Sequence, residues 1–135
     1  MENINKILII EDDQFLQDLY RIFFKKLGAE IIVTEDSDEI LELVGKGEIG
    51  LIIMDVNLRN TNLNAKRIDG IRFSRYIKEQ FHALHIPILL VTAYPLSSFS
   101  DNLLEESLAD DYLLKPIIDY NQLIEKINNL ISIKI

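Results

Sequence analysis

The sequence predicts an α/β protein, (βα)5, folded as a doubly wound five-stranded parallel sheet. Three observations lead there. Short, continuous apolar runs recur along the chain, each stopped by a charged or polar residue, as strands buried on both faces require. Between them the apolar residues fall at helical spacing and are bracketed by capping residues. The two kinds of segment alternate over the whole chain, and right-handed crossovers then place the strands in one parallel sheet between two helical layers.

The first run is Lys6-Ile7-Leu8-Ile9-Ile10, stopped by Glu11-Asp12-Asp13. From Gln14 to Leu27 the period becomes helical, with Leu16, Leu19, Phe23 and Leu27 on one stripe that Phe15 and Ile22 widen. Asp13 suits the cap of this helix and Gly28 its stop. Ile31-Ile32-Val33 makes the second strand. Asp36 or Ser37 caps a short second helix bearing Ile40, Leu41 and Val44, which ends at Gly45 and Gly47. Leu51-Ile52-Ile53-Met54 is the third strand, with Asp55 at its carboxyl end.

Asn57 to Arg67 holds four asparagines and no clear period, so it reads as a long loop. Asp69 caps a third helix with Ile71, Phe73, Ile77, Phe81 and Leu84. Pro87 opens the fourth strand, Ile88 to Val91, which ends at Thr92. A fourth helix is expected from about Ser97 to Leu108, carrying Phe99, Leu103, Leu104 and Leu108. Tyr112-Leu113-Leu114 is the fifth strand, ending at Lys115-Pro116. Asp119 and Gln122 suggest a capping box for a last helix with Leu123, Ile124, Ile127, Leu130 and Ile131.

The chain has 135 residues, 48% of them hydrophobic, too apolar for a disordered polymer. It shows no second domain, linker or repeat, and one domain over residues 1–135 without an attached output domain is expected. No apolar run approaches the ~18–20 residues of a membrane span, and the amino terminus lacks the pattern of a signal peptide. With no cysteine, disulfides and thiolate metal sites are excluded and a cytoplasmic location is expected. Fourteen basic against 22 acidic side chains give a net charge of −8, which disfavours nucleic acid as a partner and suits a divalent cation.

In an open parallel sheet, function gathers beyond the carboxyl ends of the strands. Those ends carry Glu11-Asp12-Asp13, Asp55, Thr92 and Lys115. A lone acid at a strand end is usually a cap or a solvated group, but carboxylates, a hydroxyl and an ammonium at four ends of one sheet are the parts that phosphoryl transfer needs. Carboxylates hold Mg²⁺, a lysine offsets phosphoryl charge, and a carboxylate oxygen serves as nucleophile.

Lys6 to Asp13, Leu51 to Asn57, Leu90-Val-Thr-Ala93 and Asp110 to Pro116 together resemble the response-regulator receiver domain of two-component signalling, the CheY-like, flavodoxin-like fold with strand order 2-1-3-4-5. The resemblance covers essentially the full chain. It implies Asp55 as phosphoacceptor, and Glu11 and Asp12 as the acidic pair that holds Mg²⁺ with Asp55 and the Asn57 backbone carbonyl. It implies that Thr92 and Lys115 contact the phosphoryl oxygens, that Tyr112 is the switch aromatic, and that the Lys115–Pro116 bond is cis. The implied donor is a phosphohistidine on a sensor histidine kinase or histidine phosphotransfer protein. The implied output is a reshaped face of helix four, strand five and helix five that a downstream protein target reads; the chain is then a signalling switch and not an enzyme.

Two departures stand out. Arg59 occupies the position where the family usually has proline, and Asp69-Gly70 arrives late, so Arg59 to Arg67 looks inserted beside the site. Its Lys66 and Arg67 suit contact with a partner or shielding of the phosphoryl group, though a solvated loop is the default reading. Leu108 replaces a common glycine before strand five. His82 and His85 fall at the opposite end of the sheet and fit surface or turn roles.

Other classes fit less well. A haloacid-dehalogenase-like phosphatase needs a second Asp where Asn57 stands. A flavodoxin-like electron carrier would not place three acids beside a flavin phosphate. A non-phosphorylated scaffolding receiver remains open, although all the expected residue types are present.

Overall fold

The computed structural model describes residues 6–93 and 102–131. Strands β1 (Lys6–Ile10), β2 (Ile31–Thr34), β3 (Ile49–Asp55), β6 (Ile88–Thr92) and β7 (Asp111–Leu114) form one sheet in the order β2-β1-β3-β6-β7. Every pairing in it is parallel. This is the expected strand order once the strands of a small hairpin, β4 (Asn62–Leu63) and β5 (Lys66–Arg67), are set aside.

Helices α1 (Gln14–Leu27), α2 (Ser37–Gly45), α3 (Gly70–Gln80), α4 (Leu103–Ser107) and α5 (Tyr120–Ile131) cover both faces. The part of the fourth helix expected from Ser97, with Phe99, lies outside the described residues. Strand alternation divides the core in two. Leu8, Ile10, Ile52, Met54, Ile88 and Leu90 pack with Ile40, Val44, Phe73, Ile77 and Leu103. Ile7, Ile9, Leu51, Ile53, Leu89 and Val91 pack with Tyr20, Phe24, Leu123 and Ile127. Helices α1 and α5 thus share one face, and α2, α3 and α4 the other.

The helix starts follow their caps. Asp13 accepts from the Leu16 amide at 3.0 Å, Asp36 from Asp38 at 2.9 Å, and Asp69 from Arg72 at 2.8 Å. Before α5, Asp119 accepts from the Asn121 amide at 2.9 Å. Gly28 closes α1 in the left-handed region, φ 74°, as a glycine stop should. Leu108, in the position of the common glycine, keeps the left-handed geometry at φ 58°, so the turn into β7 has the glycine-type conformation without the glycine.

The buried face of α1 differs from expectation. Its deepest residues are Gln17, Tyr20 and Phe24, with Leu16, Leu19, Phe23 and Leu27 at their flanks, while Phe15 is 69% exposed and Ile22 56%. This orientation lets Gln17 Nε2 donate to the Glu11 carbonyl at 2.6 Å, satisfying a backbone acceptor at the end of β1. Among the described residues, no helix is long and apolar enough to cross a membrane.

Candidate active site

Register sets the geometry of the carboxyl edge. Ile10 pairs with Met54, which puts Glu11 beside Asp55. Asp55 in turn pairs with Val91, one residue before Thr92. Thr92 pairs with Leu114, one residue before Lys115. The four strand-end residues therefore form a stepped row along one edge of the sheet.

Glu11 and Asp55 are buried, at 2% and 4% exposure. Lys115 Nζ reaches both, 2.9 Å from Asp55 Oδ1 and 3.3 Å from Glu11 Oε1. The Asn57 amide donates to Asp55 Oδ1 at 3.2 Å, and the Asp13 amide to Glu11 Oε2 at 3.1 Å. One carboxylate oxygen from each of Glu11, Asp12 and Asp55 lies within 4.8 Å of the others. These are hard oxygen donors around a common point, and they fit a divalent cation of the Mg²⁺ kind.

Three acids crowd together here and one ammonium reaches two of them, and the electrostatics show the shortfall. Burial first, and the neighbouring Asp55 charge second, push the Glu11 carboxyl up to about 7, while Lys115 and the Asp13 amide pull the other way. Burial also works against the Lys115 ammonium. The hydrogen bond and charge of Asp55, followed by those of Glu11, outweigh it and raise the Lys115 pKa above that of a free lysine. Beneath the acids, Tyr20 is held strongly neutral by burial and then by the Glu11 and Asp55 charges.

Glu11, Asp12, Asp55, Asn57 and Lys115 line one open cleft. Thr92 is buried at the end of β6, its carbonyl accepting from the Lys115 amide at 2.8 Å. The Lys115–Pro116 bond is cis. Tyr112 stands apart from the cleft, partly buried against the core of α2, α3 and α4, with Lys126 Nζ 5.8 Å from its ring centroid.

Three further residues shape the site. Gly70 starts α3 directly over the end of β3, and its amide donates to the Val56 carbonyl at 2.8 Å. A Cβ there would run into the Asp55 carbonyl oxygen and sit 2.8 Å from Asp55 C and Val56 Cα, so only glycine permits the approach. Gln17 holds the Glu11 carbonyl. The Arg59 amide donates to Asp12 Oδ2 at 2.6 Å. Gly70 left a trace in the sequence as the displaced Asp-Gly pair; Gln17 and the Arg59 amide left none.

A family model of the response regulator receiver domain matches residues 7–128. This chain belongs to the response regulator receiver family. The receiver is 26% identical over 111 residues to the polar-differentiation response regulators DivK of Brucella anthropi and Brucella abortus, covering 82% of this chain and 84% of either relative. Among solved structures, it resembles the chemotaxis protein CheY4 of Vibrio cholerae at 21% identity, with a TM-score of 0.77 and coverage of 95% and 99% of the two chains. It also resembles the response regulator TrrA of Thermotoga maritima, solved with Mg²⁺-BeF, at 24% identity, TM-score 0.73, and coverage of 94% and 99%. A third neighbour is the receiver domain of sensor histidine kinase PA1611 of Pseudomonas aeruginosa, solved with magnesium in its active-site cleft, at 24% identity, TM-score 0.76, and coverage of 96% and 98%. At these identities the structural neighbours establish the fold of the receiver, and the family model its membership in two-component signalling.

Proposed function

We propose that this receiver takes a phosphoryl group on Asp55 from a phosphohistidine of a sensor histidine kinase or a histidine phosphotransfer protein. It then signals to a separate downstream protein. The observation that carries the reading is the Lys115 ammonium, 2.9 Å from Asp55 Oδ1 inside a cluster of three carboxylates. A buried acid crowded by like charges and held by one lysine has the chemistry of an acceptor awaiting a phosphoryl group.

Each residue has a task. Asp55 supplies the attacking oxygen, oriented by the Asn57 amide and Lys115. Glu11, Asp12, Asp55 and the Asn57 backbone carbonyl are the residues that hold Mg²⁺, whose chemistry there is to neutralise the acids and the charge on the phosphoryl oxygens. The magnesium in the Pseudomonas receiver and the Mg²⁺-BeF in TrrA are precedents on the same fold. Lys115 pairs with one phosphoryl oxygen and the Thr92 hydroxyl donates to another. Tyr112, partly buried already, turns further inward as Thr92 moves toward the phosphoryl group. The face of α4, β7 and α5 is thereby shifted between two populations by one charge-changing event. The protein acts in this way as a switch, without turnover of a separate substrate.

The test is incubation with acetyl phosphate and Mg²⁺ followed by intact-mass measurement. The wild-type chain gains one phosphoryl group, and chelation of the metal or Asp55→Asn abolishes the gain. An Asp55→Asn chain that still gains the mass overturns the assignment.

A further inference from the structure

The inserted segment beside the site is built into the fold. Leu58 and Thr61 are fully buried. Thr61 Oγ1 donates to the Glu35 carbonyl at 3.0 Å, Arg67 Nη1 to the Leu58 carbonyl at 3.0 Å, and the Ile68 amide to the Thr61 carbonyl at 3.0 Å. The β4–β5 hairpin closes the segment. These contacts hold Arg59 and Asn60 on the wall of the same cleft that Asp55 and Lys115 line.

Arg59 offers two separable groups. Its amide is spent on Asp12 Oδ2, a task that any residue except proline performs. Its side chain is exposed and makes no ion pair or hydrogen bond among the described residues. Lys115, the other cation lining the cleft, is already shared between Asp55 and Glu11. Glu11, Asp12, Asp13 and Asp55 line it too. A phosphoryl group entering this cleft brings further negative charge, and among the described residues Arg59 is the other cation-bearing residue on its wall.

We propose that Arg59 is a phosphoryl-recognising residue of this receiver, its guanidinium fork taking oxygens of the incoming group and afterwards covering the acyl phosphate against water. A planar guanidinium matches phosphate oxygens two at a time, and a donor held in place acts on the charge that develops during transfer. With acetyl phosphate as donor, an Asp55 carboxylate oxygen forms the new P–O bond as the bond between phosphorus and the acetyl oxygen breaks. The electron pair leaves with acetate, and Arg59 exchanges neither atoms nor electrons. The inference rests on the reading of Asp55 as acceptor and names the residue that sets its reactivity and lifetime.

The experiment compares wild type, Arg59→Ala, Arg59→Gln, Arg59→Lys and Arg59→Pro in the full chain. Phosphorylation by acetyl phosphate in Mg²⁺ and loss of the phosphoryl mass after donor removal are followed by mass spectrometry. Binding of beryllofluoride, a phosphoryl mimic, is followed by tyrosine fluorescence. Arg59→Ala and Arg59→Gln are expected to slow phosphorylation and weaken beryllofluoride by on the order of tenfold to a hundredfold and to shorten the phosphorylated lifetime. Their melting temperature and Mg²⁺ affinity stay as in wild type, which a merely structural role would not allow. Arg59→Lys recovers part of the loss, and Arg59→Pro alone also weakens Mg²⁺, because the amide on Asp12 is gone. If the wild type is phosphorylated and Arg59→Ala and Arg59→Gln match it in rate, lifetime and beryllofluoride affinity, the role of Arg59 is overturned while the acceptor reading stands. A wild type that takes no phosphoryl group at all overturns both.

Discussion

The two ends of the sheet use the same kinds of residue to opposite effect. At the amino edge, acids and bases are matched. Asp110 Oδ2 accepts from Lys78 Nζ at 2.7 Å and from the Ile88 amide at 2.8 Å, and Lys6 lies 3.4 Å from Glu48 and 3.8 Å from Glu30. At the carboxyl edge, Glu11, Asp12 and Asp55 crowd together with Lys115 shared between two of them. The first arrangement closes a fold. The second leaves crowded like charges only partly compensated, a condition that a cation or a new ligand relieves, and perturbed groups of this kind gather at functional sites.

The largest expected effect is at Gly70. Gly70→Ala forces its methyl against the Asp55 backbone and costs about 3 kcal/mol, measured by urea unfolding; a loss no larger than that of an ordinary surface substitution would show that α3 yields easily. Next comes the pH dependence of the crowded edge. In the folded chain the Glu11 carboxyl, pushed up to about 7, lies above its ordinary value of 4.5, so the folded chain binds this proton more tightly than the unfolded one. The stability tied to Glu11 is thus fully present below pH 4.5 and is lost as pH rises through 7, by roughly 2–3 kcal/mol in metal-free buffer. Glu11→Gln should lack this decline, and Mg²⁺ should restore more stability to wild type than to the variant at pH 8. A stability difference between the two that stays flat with pH would remove the crowding argument.

Smaller effects belong to the matched edge. Asp110→Ala strands the Ile88 amide and unpairs Lys78, for a loss of about 1–2 kcal/mol with no change in the response to Mg²⁺. A changed Mg²⁺ midpoint would mean that the two edges are coupled. Lys6→Ala should cost no more than about 0.5 kcal/mol by the same unfolding measurement, since both of its pairs are solvent-exposed.

Much of this was legible in the residues. The apolar runs fixed the five main strands, and Asp13, Asp36 and Asp69 marked three helix starts because a cap acts on amides only two or three residues away. The acids at the ends of β1 and β3 and the lysine after β7 could be read in order. The β4–β5 hairpin escaped, since two-residue strands carry no period. The turn of α1 escaped because Gln17 looks like a surface residue until its amide is seen to serve the Glu11 carbonyl. Phe15 and Ile22, placed on the apolar stripe by spacing, face solvent instead.

By itself, then, the sequence determined the alternation of strand and helix, the helix starts and the chemical types set at each strand end, because periodicity and capping are decided among neighbours a turn or two apart. The tertiary structure decided which of those types meet. Asp12 with the Arg59 amide, Asp55 with Lys115, and Glu11 with Lys115 are separated by 47, 60 and 104 residues along the chain. Their contact follows from strand register and helix packing, in which two independently buried cores fix one row of side chains at the sheet edge.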